Sequence, residues 1–335
     1  MPRTHVNSAN GPVAVADLGR TLVHEHLATV SDVVRAEWPH LIDRDGERAR
    51  AVAALESVKA HGVSTWCDPA CMNLGRDARL AADAGAATGV NVVLATGAYV
   101  YESLPRYFRF RDEDALADVF VRDAEHGIQG SEARPGFIKC AVDEHGLVPD
   151  VEKVLRAVAG AHARTGLPVM THCALSGVTL GPEGPVQPSS ERRAEALSTT
   201  LRQIELLTGA GVAPGAIQVA HVGDCADVDT IERVLALGTF VGMDRYGLDI
   251  FCPSAQRNRV VAELCARGYA DRMMLGQDSC ATLDWYPPGV VDALAPRWRA
   301  TLLFEEELPA LAQLGVGEEQ VETMLVANPA RWLAA

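Results

Sequence analysis

The chain has 335 residues, of which 48% are hydrophobic and 22% are charged, so it can bury a large core and global disorder is excluded. Its 30 basic and 44 acidic residues give a net charge of −14, which excludes sequence-independent binding to nucleic acid and favours a small or neutral substrate. The N-terminal segment lacks the apolar core of a signal peptide, no stretch reaches membrane-spanning length, and the eight cysteines are scattered, so we expect a cytoplasmic protein with reduced thiols and no membrane partner.

Short apolar runs alternate with amphipathic stretches along the chain. The predicted strands, each bounded by Gly, Pro or polar residues, are Thr21–His26, Val63–Asp68, Asn91–Thr96, Gly136–Ala141, Pro168–His172, Ile217–His221, Thr239–Asp244 and Arg272–Gln277. The predicted helices between them include Gly46–His61, Asp114–His126, Val151–Thr165, Asp227–Leu237 and Ser254–Arg267.

Eight strand–helix units in succession predict an α/β fold, a (β/α)₈ TIM barrel formed by one parallel sheet. We expect a single domain over residues 1–335, with a core from about residue 18 to 333, and long loops after strands 5 and 8. These loops are Leu175–Ser198, which contains GPEGPVQPSS, and Ala281–Pro296, which is rich in Pro, Trp and Tyr. A doubly wound open sheet is the alternative, but no Gly-x-Gly-x-x-Gly follows a predicted strand.

Histidines and an aspartate end several predicted strands. His24 and His26 lie two apart at the end of the first strand and therefore face the same side. His172, His221 and Asp278 end or follow the fifth, sixth and eighth strands. Because the carboxyl ends of barrel strands form one ring, where active sites lie, these side chains predict a site for Zn²⁺, Fe²⁺ or Co²⁺.

Lys139 ends the fourth strand, where an inward-facing ammonium is costly unless it is paired or neutralised. An ammonium has no lone pair, but carboxylation by CO₂ would turn it into a carbamate able to bridge two cations. An ion pair with Asp278 is the alternative. Cys67 and Cys71 could supply half of a zinc site, but no second pair accompanies them, so buried free thiols are the simpler interpretation.

At these residues the chain resembles the phosphotriesterase family of the amidohydrolase superfamily. The matching segments are LGRTLVHEHL, GFIKCA, PVMTH, AHVGDCADVDTIERVLALGTFVGMDRYGLD and MMLGQD. The resemblance implies that His24 and His26 bind the more buried metal with Asp278, that His172 and His221 bind the more exposed metal, and that carboxylated Lys139 bridges both. It also implies two divalent ions, with Zn²⁺, Fe²⁺, Co²⁺ and Mn²⁺ as candidates, and a homodimer.

Several features are similar to the lactonase branch of that family. Tyr99 matches a tyrosine that lines the lactone site, and Arg245 matches an arginine that orients the substrate. Trp285 and Trp298 match positions in that branch's long final loop. Two features depart from the family: Gly276-Gln277 stands where relatives have Ser-His, and the segment from His172 to His221 is longer than expected.

The resemblance implies a hydrolase that opens acyl-homoserine lactones or γ- and δ-lactones through attack of a hydroxide shared by the two cations, with phosphotriesters as promiscuous substrates. Tyr99 would donate a hydrogen bond to the oxyanion or the leaving oxygen, and Asp278 would accept the proton of the attacking hydroxide. Arg245 would position the substrate; a structural salt bridge to Asp244 or Asp249 is the alternative. The competing functions are phosphotriester hydrolysis as the main activity, a one-metal deaminase or decarboxylase, and a catalytically silent barrel.

Overall fold

The computed structural model describes residues 2–181 and 184–335. One parallel sheet of eight strands, hydrogen-bonded in sequence order, forms its centre. The strands are β1 (Arg20–Leu22), β2 (Val63–Asp68), β3 (Asn91–Gly97), β4 (Phe137–Val142), β5 (Val169–Cys173), β6 (Ile217–Ala220), β7 (Phe240–Met243) and β8 (Met273–Leu275). The predicted (β/α)₈ barrel is therefore confirmed, and each predicted strand overlaps an observed one.

The barrel closes where β1 and β8 run on beyond their regular parts. The amide of Asp278 donates to the carbonyl of His24 at 3.0 Å, and the amide of His26 donates to the carbonyl of Ser279 at 2.7 Å. A further bond joins the amide of Ala281 to the carbonyl of His26 at 2.9 Å. The seam thus lies at three of the predicted metal ligands, which places their side chains side by side.

Helices connect the strands and cover the outside of the barrel. They are Asp32–Glu37, Arg44–Lys59, Ala78–Thr88, Arg106–Arg109, Glu113–His126, Pro149–Thr165, Ser190–Gly209, Val228–Leu235, Ser254–Ala266, Val290–Leu294, Leu308–Gln313, Glu318–Glu322 and Asn328–Leu333, and π-helical turns at Leu303–Glu307 and Thr323–Ala327 join the last of them. A hairpin of His5–Ser8 with Gly11–Ala14 precedes the barrel. None of the helices in the described ranges is long and apolar enough to span a membrane.

The predicted loop Leu175–Ser198 is shorter than expected. Thr179–Gly181 and Gly184–Val186 pair as an antiparallel hairpin, and a helix begins at Ser190. The Ser189 side chain accepts a hydrogen bond from the amide of Arg192, which caps that helix and explains its early start. Pro182 and Glu183 of the GPEGPVQPSS stretch lie outside the described residues. The loop after β8 is present and carries the short helix Val290–Leu294.

The barrel interior is divided into an apolar floor and a polar upper layer. Phe137 and Trp332 pack with their ring centroids 5.3 Å apart, in a buried cluster that also contains Met170, Phe240 and Met274. This cluster closes the end of the barrel opposite the metal ligands. The apolar floor leaves the carboxyl ends of the strands as the place where buried polar groups collect.

Candidate metal centre

Three predicted ligands converge at the barrel seam. The Nε2 atom of His26 lies 3.2 Å from Oδ1 of Asp278, and Nε2 of His24 lies 3.5 Å from the same oxygen. The two imidazoles are almost fully buried, and their ring centroids are 5.6 Å apart. Among the described residues, His24, His26 and Asp278 form one of two groups whose ligand atoms are close enough to share an ion.

His221 and His172 extend this cluster across the barrel mouth. The ring centroid of His221 lies 4.5 Å from that of His24 and 4.5 Å from that of His172. The backbone of His221 has φ +67° and that of Asp278 has φ +53°, conformations that cost energy for residues with a side chain. Both strands therefore break regular geometry at a predicted ligand, which turns its side chain into the barrel mouth.

Buried carboxylates lie beside the inner nitrogens of the imidazoles. Asp68 lies 3.4 Å from Nδ1 of His26, and Asp244 lies 3.2 Å from Nδ1 of His24 and 3.1 Å from Nδ1 of His221. A carboxylate on one ring nitrogen directs the other nitrogen to a metal. Neither carboxylate was predicted to belong to the site, although both end predicted strands, as several of the histidines do.

Lys139 lies in the same cavity as the imidazoles, and its side chain is 1% exposed. Its ammonium has no hydrogen-bond partner among the described residues, so the alternative, an ion pair with Asp278, is wrong. Burial lowers the pKa of Lys139, although the charge of Asp278 opposes that shift. A buried amine that loses its proton readily is the form that reacts with CO₂.

The protonation of the imidazoles suits metal binding at most positions. Burial and the charge of Lys139 lower the pKa of His24 to about 4, and burial lowers the pKa of His172 to about 3, so both rings are neutral near pH 7. Burial opposes ionisation of His26 as well, but hydrogen bonds with Asp278 and Asp68 outweigh it and raise its pKa to about 9. A cation entering the site must therefore displace a proton from His26.

Arg245 links two carboxylates beside the cluster. Its Nε donates to Oδ2 of Asp278 at 2.9 Å, and Nη1 donates to Oδ2 of Asp224 at 3.0 Å. Arg257 holds the other oxygen of Asp224 at 2.8 Å. The salt bridge of Arg245 to Asp244 or Asp249, considered above, is therefore wrong, because its partners are Asp278 and Asp224.

Gln277 points away from the cavity. Its side-chain amide donates to the backbone carbonyl of Ala300, and the backbone carbonyl of Gln277 accepts the indole hydrogen of Trp298 at 2.8 Å. Cys67 and Cys71 are buried free thiols, and neither belongs to a group of potential metal ligands in the described ranges. Neither Gln277 nor this cysteine pair contributes to the site.

The cavity above the ligands has a volume of about 370 Å³, a polar wall and an apolar wall. The polar wall includes Tyr99, Asp143 and Glu144. The hydroxyl of Tyr99 donates a hydrogen bond to Oδ2 of Asp143 at 2.5 Å. The apolar wall comes largely from the segment after β8: Leu283, Trp285, Tyr286, Val291, Leu294 and Trp298. Asp143, two residues beyond the predicted fourth strand, was not anticipated from the sequence.

These residues fit a site for divalent metal. Three imidazoles turn Nε2 towards Asp278, a carboxylate lies 3.1–3.4 Å from each Nδ1, and a buried lysine without a hydrogen-bond partner lies beside them. A parallel barrel with such a cluster at the carboxyl ends of its strands defines the class of barrel hydrolases that use bound metal ions.

Sequence and structure comparisons with known proteins support this assignment. The sequence model of the phosphotriesterase family matches residues 4–181 and 185–333. An aryldialkylphosphatase of Saccharolobus solfataricus is 41% identical over 320 residues, which cover 95% of this chain and 96% of that protein. The solved structure of the phosphotriesterase from Mycobacterium tuberculosis has a TM-score of 0.87 at 38% identity and covers 98% of both chains. The chain therefore belongs to the phosphotriesterase family and is a hydrolase of ester or phosphoester bonds.

Another solved structure has a similar fold. It comes from the molecular engineering of organophosphate hydrolysis activity from a weak promiscuous lactonase template, and it has a TM-score of 0.86 at 29% identity over 98% of this chain and 99% of that one.

Proposed function

We propose that this protein is a two-metal hydrolase that opens lactones, with acyl-homoserine lactones and γ- and δ-lactones as its substrate class, and that it also hydrolyses phosphotriesters. The ligands would be His24 and His26 with Asp278 at the buried position, His172 and His221 at the exposed position, and carboxylated Lys139 between them. When bound, the two cations supply a water of lowered pKa and polarise the carbonyl or phosphoryl oxygen. Zn²⁺, Fe²⁺, Co²⁺ and Mn²⁺ all suit these nitrogen and oxygen donors.

The cavity walls carry this proposal. An apolar wall that includes Trp285, Leu294 and Trp298 suits an acyl or alkyl chain, and the acidic pair Asp143 and Glu144 disfavours an anionic substrate. A neutral lactone with an apolar tail can pack against the apolar wall and is not repelled by the acidic pair. A neutral phosphotriester also meets both conditions, and the aryldialkylphosphatase among the relatives favours it as the alternative main substrate.

The chain's own side chains would handle the proton and the substrate. Asp278 lies between the imidazoles and Arg245, so its carboxylate is placed to take a proton from the attacking water and pass it to the leaving oxygen. Arg245 holds Asp278 in this orientation and borders the cavity, where it would also orient the substrate. Tyr99 borders the same space but already donates its proton to Asp143.

The proposed lactonase activity is tested by measuring kcat/KM on metal-reconstituted protein with an acyl-homoserine lactone, simple γ- and δ-lactones and an aryl dialkyl phosphate. We expect a preference for lactones of several orders of magnitude. A preference for the phosphate would assign phosphotriester hydrolysis as the main activity, and failure on the whole panel would contradict both.

A homodimer and a cytoplasmic location belong to the same proposal. Several apolar side chains outside the cavity are exposed and could be buried in a dimer interface: Val33, Trp38, Leu41, Tyr107 and Phe110. All eight cysteines are free thiols, which suits a reducing compartment. Sedimentation velocity of the metal-loaded protein tests the dimer, and a monomer at micromolar concentration would contradict it.

A further inference from the structure

One buried carboxylate, that of Asp244, contacts two of the candidate ligands at once. Its Oδ2 lies 3.2 Å from Nδ1 of His24, and its Oδ1 lies 3.1 Å from Nδ1 of His221. Oδ1 also accepts a hydrogen bond from the backbone amide of His221 at 2.8 Å. Both imidazoles turn Nε2 to the opposite side, where it faces Asp278 at 3.5 Å and 3.8 Å.

The barrel interior is shaped around this carboxylate. Asp244 is fully buried, and in the described part of the chain its ion-pair partners are the two imidazoles alone. A Cβ atom at Gly242 would lie 2.2 Å from Oδ2 of Asp244, so only glycine leaves room for it there. An uncompensated buried carboxylate is costly, and its contacts with the two imidazoles, the backbone amide of His221 and the side-chain amide of Gln218 offset that cost.

The contact with His221 is a hydrogen bond at 3.1 Å, and the same carboxylate approaches Nδ1 of His24 to 3.2 Å. An imidazole that donates its Nδ1 hydrogen to a carboxylate keeps the lone pair of Nε2 free for a metal ion. In the proposed function, His24 serves the buried metal position and His221 serves the exposed one. We propose that Asp244 is a positioning residue that orients one histidine ligand of each metal position, so that the affinities of both positions depend on it. This inference rests on the two-metal site proposed above.

Asp68 provides a matched comparison. It is also a buried aspartate at the carboxyl end of a strand, but it lies beside Nδ1 of His26 alone, at 3.4 Å. Its removal should therefore affect a single metal position. Asp229, whose side chain is 84% exposed, serves as a surface control.

The experiment measures the two dissociation constants for Zn²⁺ by competition with a chromophoric chelator, in the full-length protein. We expect D244A to raise both constants by about 10–100-fold, whereas D68A raises one of them by that factor and D229A raises neither. In D244N the amide offers one acceptor oxygen, so its NH₂ group must face one of the two rings, and a single constant should rise.

The outcomes separate this inference from the proposed function. Wild-type protein that binds fewer than two Zn²⁺ per chain would contradict the two-metal site itself. Two tight sites in the wild type that survive D244A unchanged, or a loss confined to one site in D244A, would overturn the shared role of Asp244 alone.

A measurement on the wild type covers the case in which D244A fails to fold. Long-range ¹H–¹⁵N correlation spectra of the zinc-loaded protein with ¹⁵N-labelled histidine report which ring nitrogen carries hydrogen. We expect hydrogen on Nδ1 of both His24 and His221. Hydrogen on Nε2 of either ring would overturn the inference.

Discussion

The phenol of Tyr99 donates its only proton to the carboxylate of Asp143 across 2.5 Å, while the same oxygen lies 3.4 Å from both ring nitrogens of His172. Burial and the charge of Asp143 raise the pKa of Tyr99 well above its usual 10, so the phenol stays protonated. Tyr99 therefore offers the cavity a lone pair rather than a hydrogen. The resemblance implies that Tyr99 donates a hydrogen bond to the oxyanion. For that role the hydroxyl must first turn its hydrogen away from Asp143.

The Tyr99–Asp143 pair gives the stability of the metal-free protein a defined pH dependence. Burial opposes ionisation of Asp143, but the neighbouring His172 and hydrogen bonds from Tyr99 and the amide of Glu144 hold its pKa below the usual 3.8. Between the folded pKa and the unfolded value of 3.8 the unfolded chain therefore binds more protons than the folded chain, and the stabilisation is lost as the pH falls through the folded pKa.

We expect D143N to lower the free energy of unfolding by about 1.5–3 kcal/mol at pH 7, because it weakens a hydrogen bond to a charged group. The difference from the wild type should shrink below about pH 4. Urea denaturation between pH 3 and 7 measures it. A difference that stays constant down to pH 3 would show that Asp143 is not held ionised by this pair.

Asp278→Asn should abolish most of the activity without unfolding the protein. Asparagine tolerates the φ of +53° at this position, but it cannot act as a base and is a poorer ligand for a divalent cation. We expect kcat to fall by about 10²–10⁴-fold on the best lactone, with an unchanged circular dichroism spectrum. The surface variant D271N should keep full activity. Near-normal turnover in D278N would remove the assigned role of Asp278.

Lys139→Ala should empty at least the exposed metal position. The substitution removes the amine that CO₂ would carboxylate and leaves space for a small carboxylic acid in its place. Metal analysis by mass spectrometry should show fewer than two ions per chain, and added acetate or propionate should restore part of the loss. K59A, at the end of an outer helix, is the matched control. Full metal retention in K139A would exclude a bridging lysine.

Gly97 allows strand β3 to approach Lys139. Gly97 has φ +122°, and a Cβ atom there would lie 1.9 Å from the carbonyl oxygen of Lys139. We expect G97A to lower the free energy of unfolding by about 3–5 kcal/mol. Gly146 has φ +69° with open space around its Cβ direction, so G146A should cost only about 1–2 kcal/mol. Equal costs in urea denaturation would show that the close approach contributes nothing.

Trp285→Ala tests the apolar wall. Trp285 borders the cavity, where its indole can cover an acyl chain, and it is 41% exposed. We expect kcat/KM for a long-chain acyl-homoserine lactone to fall roughly tenfold more than that for a short-chain one. W38A, whose side chain is 51% exposed and lies outside the cavity, should treat both substrates alike. An equal loss on both substrates in W285A would assign the indole to loop packing.

The barrel could be predicted because its strands are short apolar runs with clear boundaries, and the run Val63–Asp68 coincides with β2. The outermost strands were predicted too long. Thr21–His26 shares only two residues with the regular strand Arg20–Leu22, and Arg272–Gln277 runs two residues beyond Met273–Leu275, because the chain turns irregular near the candidate ligands. A hydrophobic pattern cannot report a positive φ such as that of Asp278.

Other elements lacked a strong pattern. The helix Ala78–Thr88 was not given bounds from the sequence, because its segment ARLAADAGAAT is dominated by alanine, which does not distinguish a buried face. The start of the helix Ser190–Gly209 was hidden by the Pro- and Gly-rich stretch before it. The N-terminal hairpin was not predicted, because its two-residue loop is Ala9-Asn10 and lacks a central Asn-Gly pair.

The candidate ligands could be predicted, but the carboxylates that hold them could not be assigned. Position at a strand end identifies His24 or His221 because imidazole is a rare and chemically distinctive side chain. Aspartates are common, and only the coordinates reveal that Asp244 contacts two rings and that Arg245 pairs with Asp224 rather than Asp249. Partner choice depends on distances of a few ångströms between segments far apart in the chain.

The central claim, that six side chains hold two cations bridged by a carboxylated lysine, is tested most directly by metal analysis of the reconstituted wild type prepared with ¹³C-bicarbonate. We predict two divalent ions per chain together with a carbamate carbon signal in the ¹³C spectrum, and the loss of that signal in K139A. A single ion per chain, or two ions without any carbamate signal, would contradict the account.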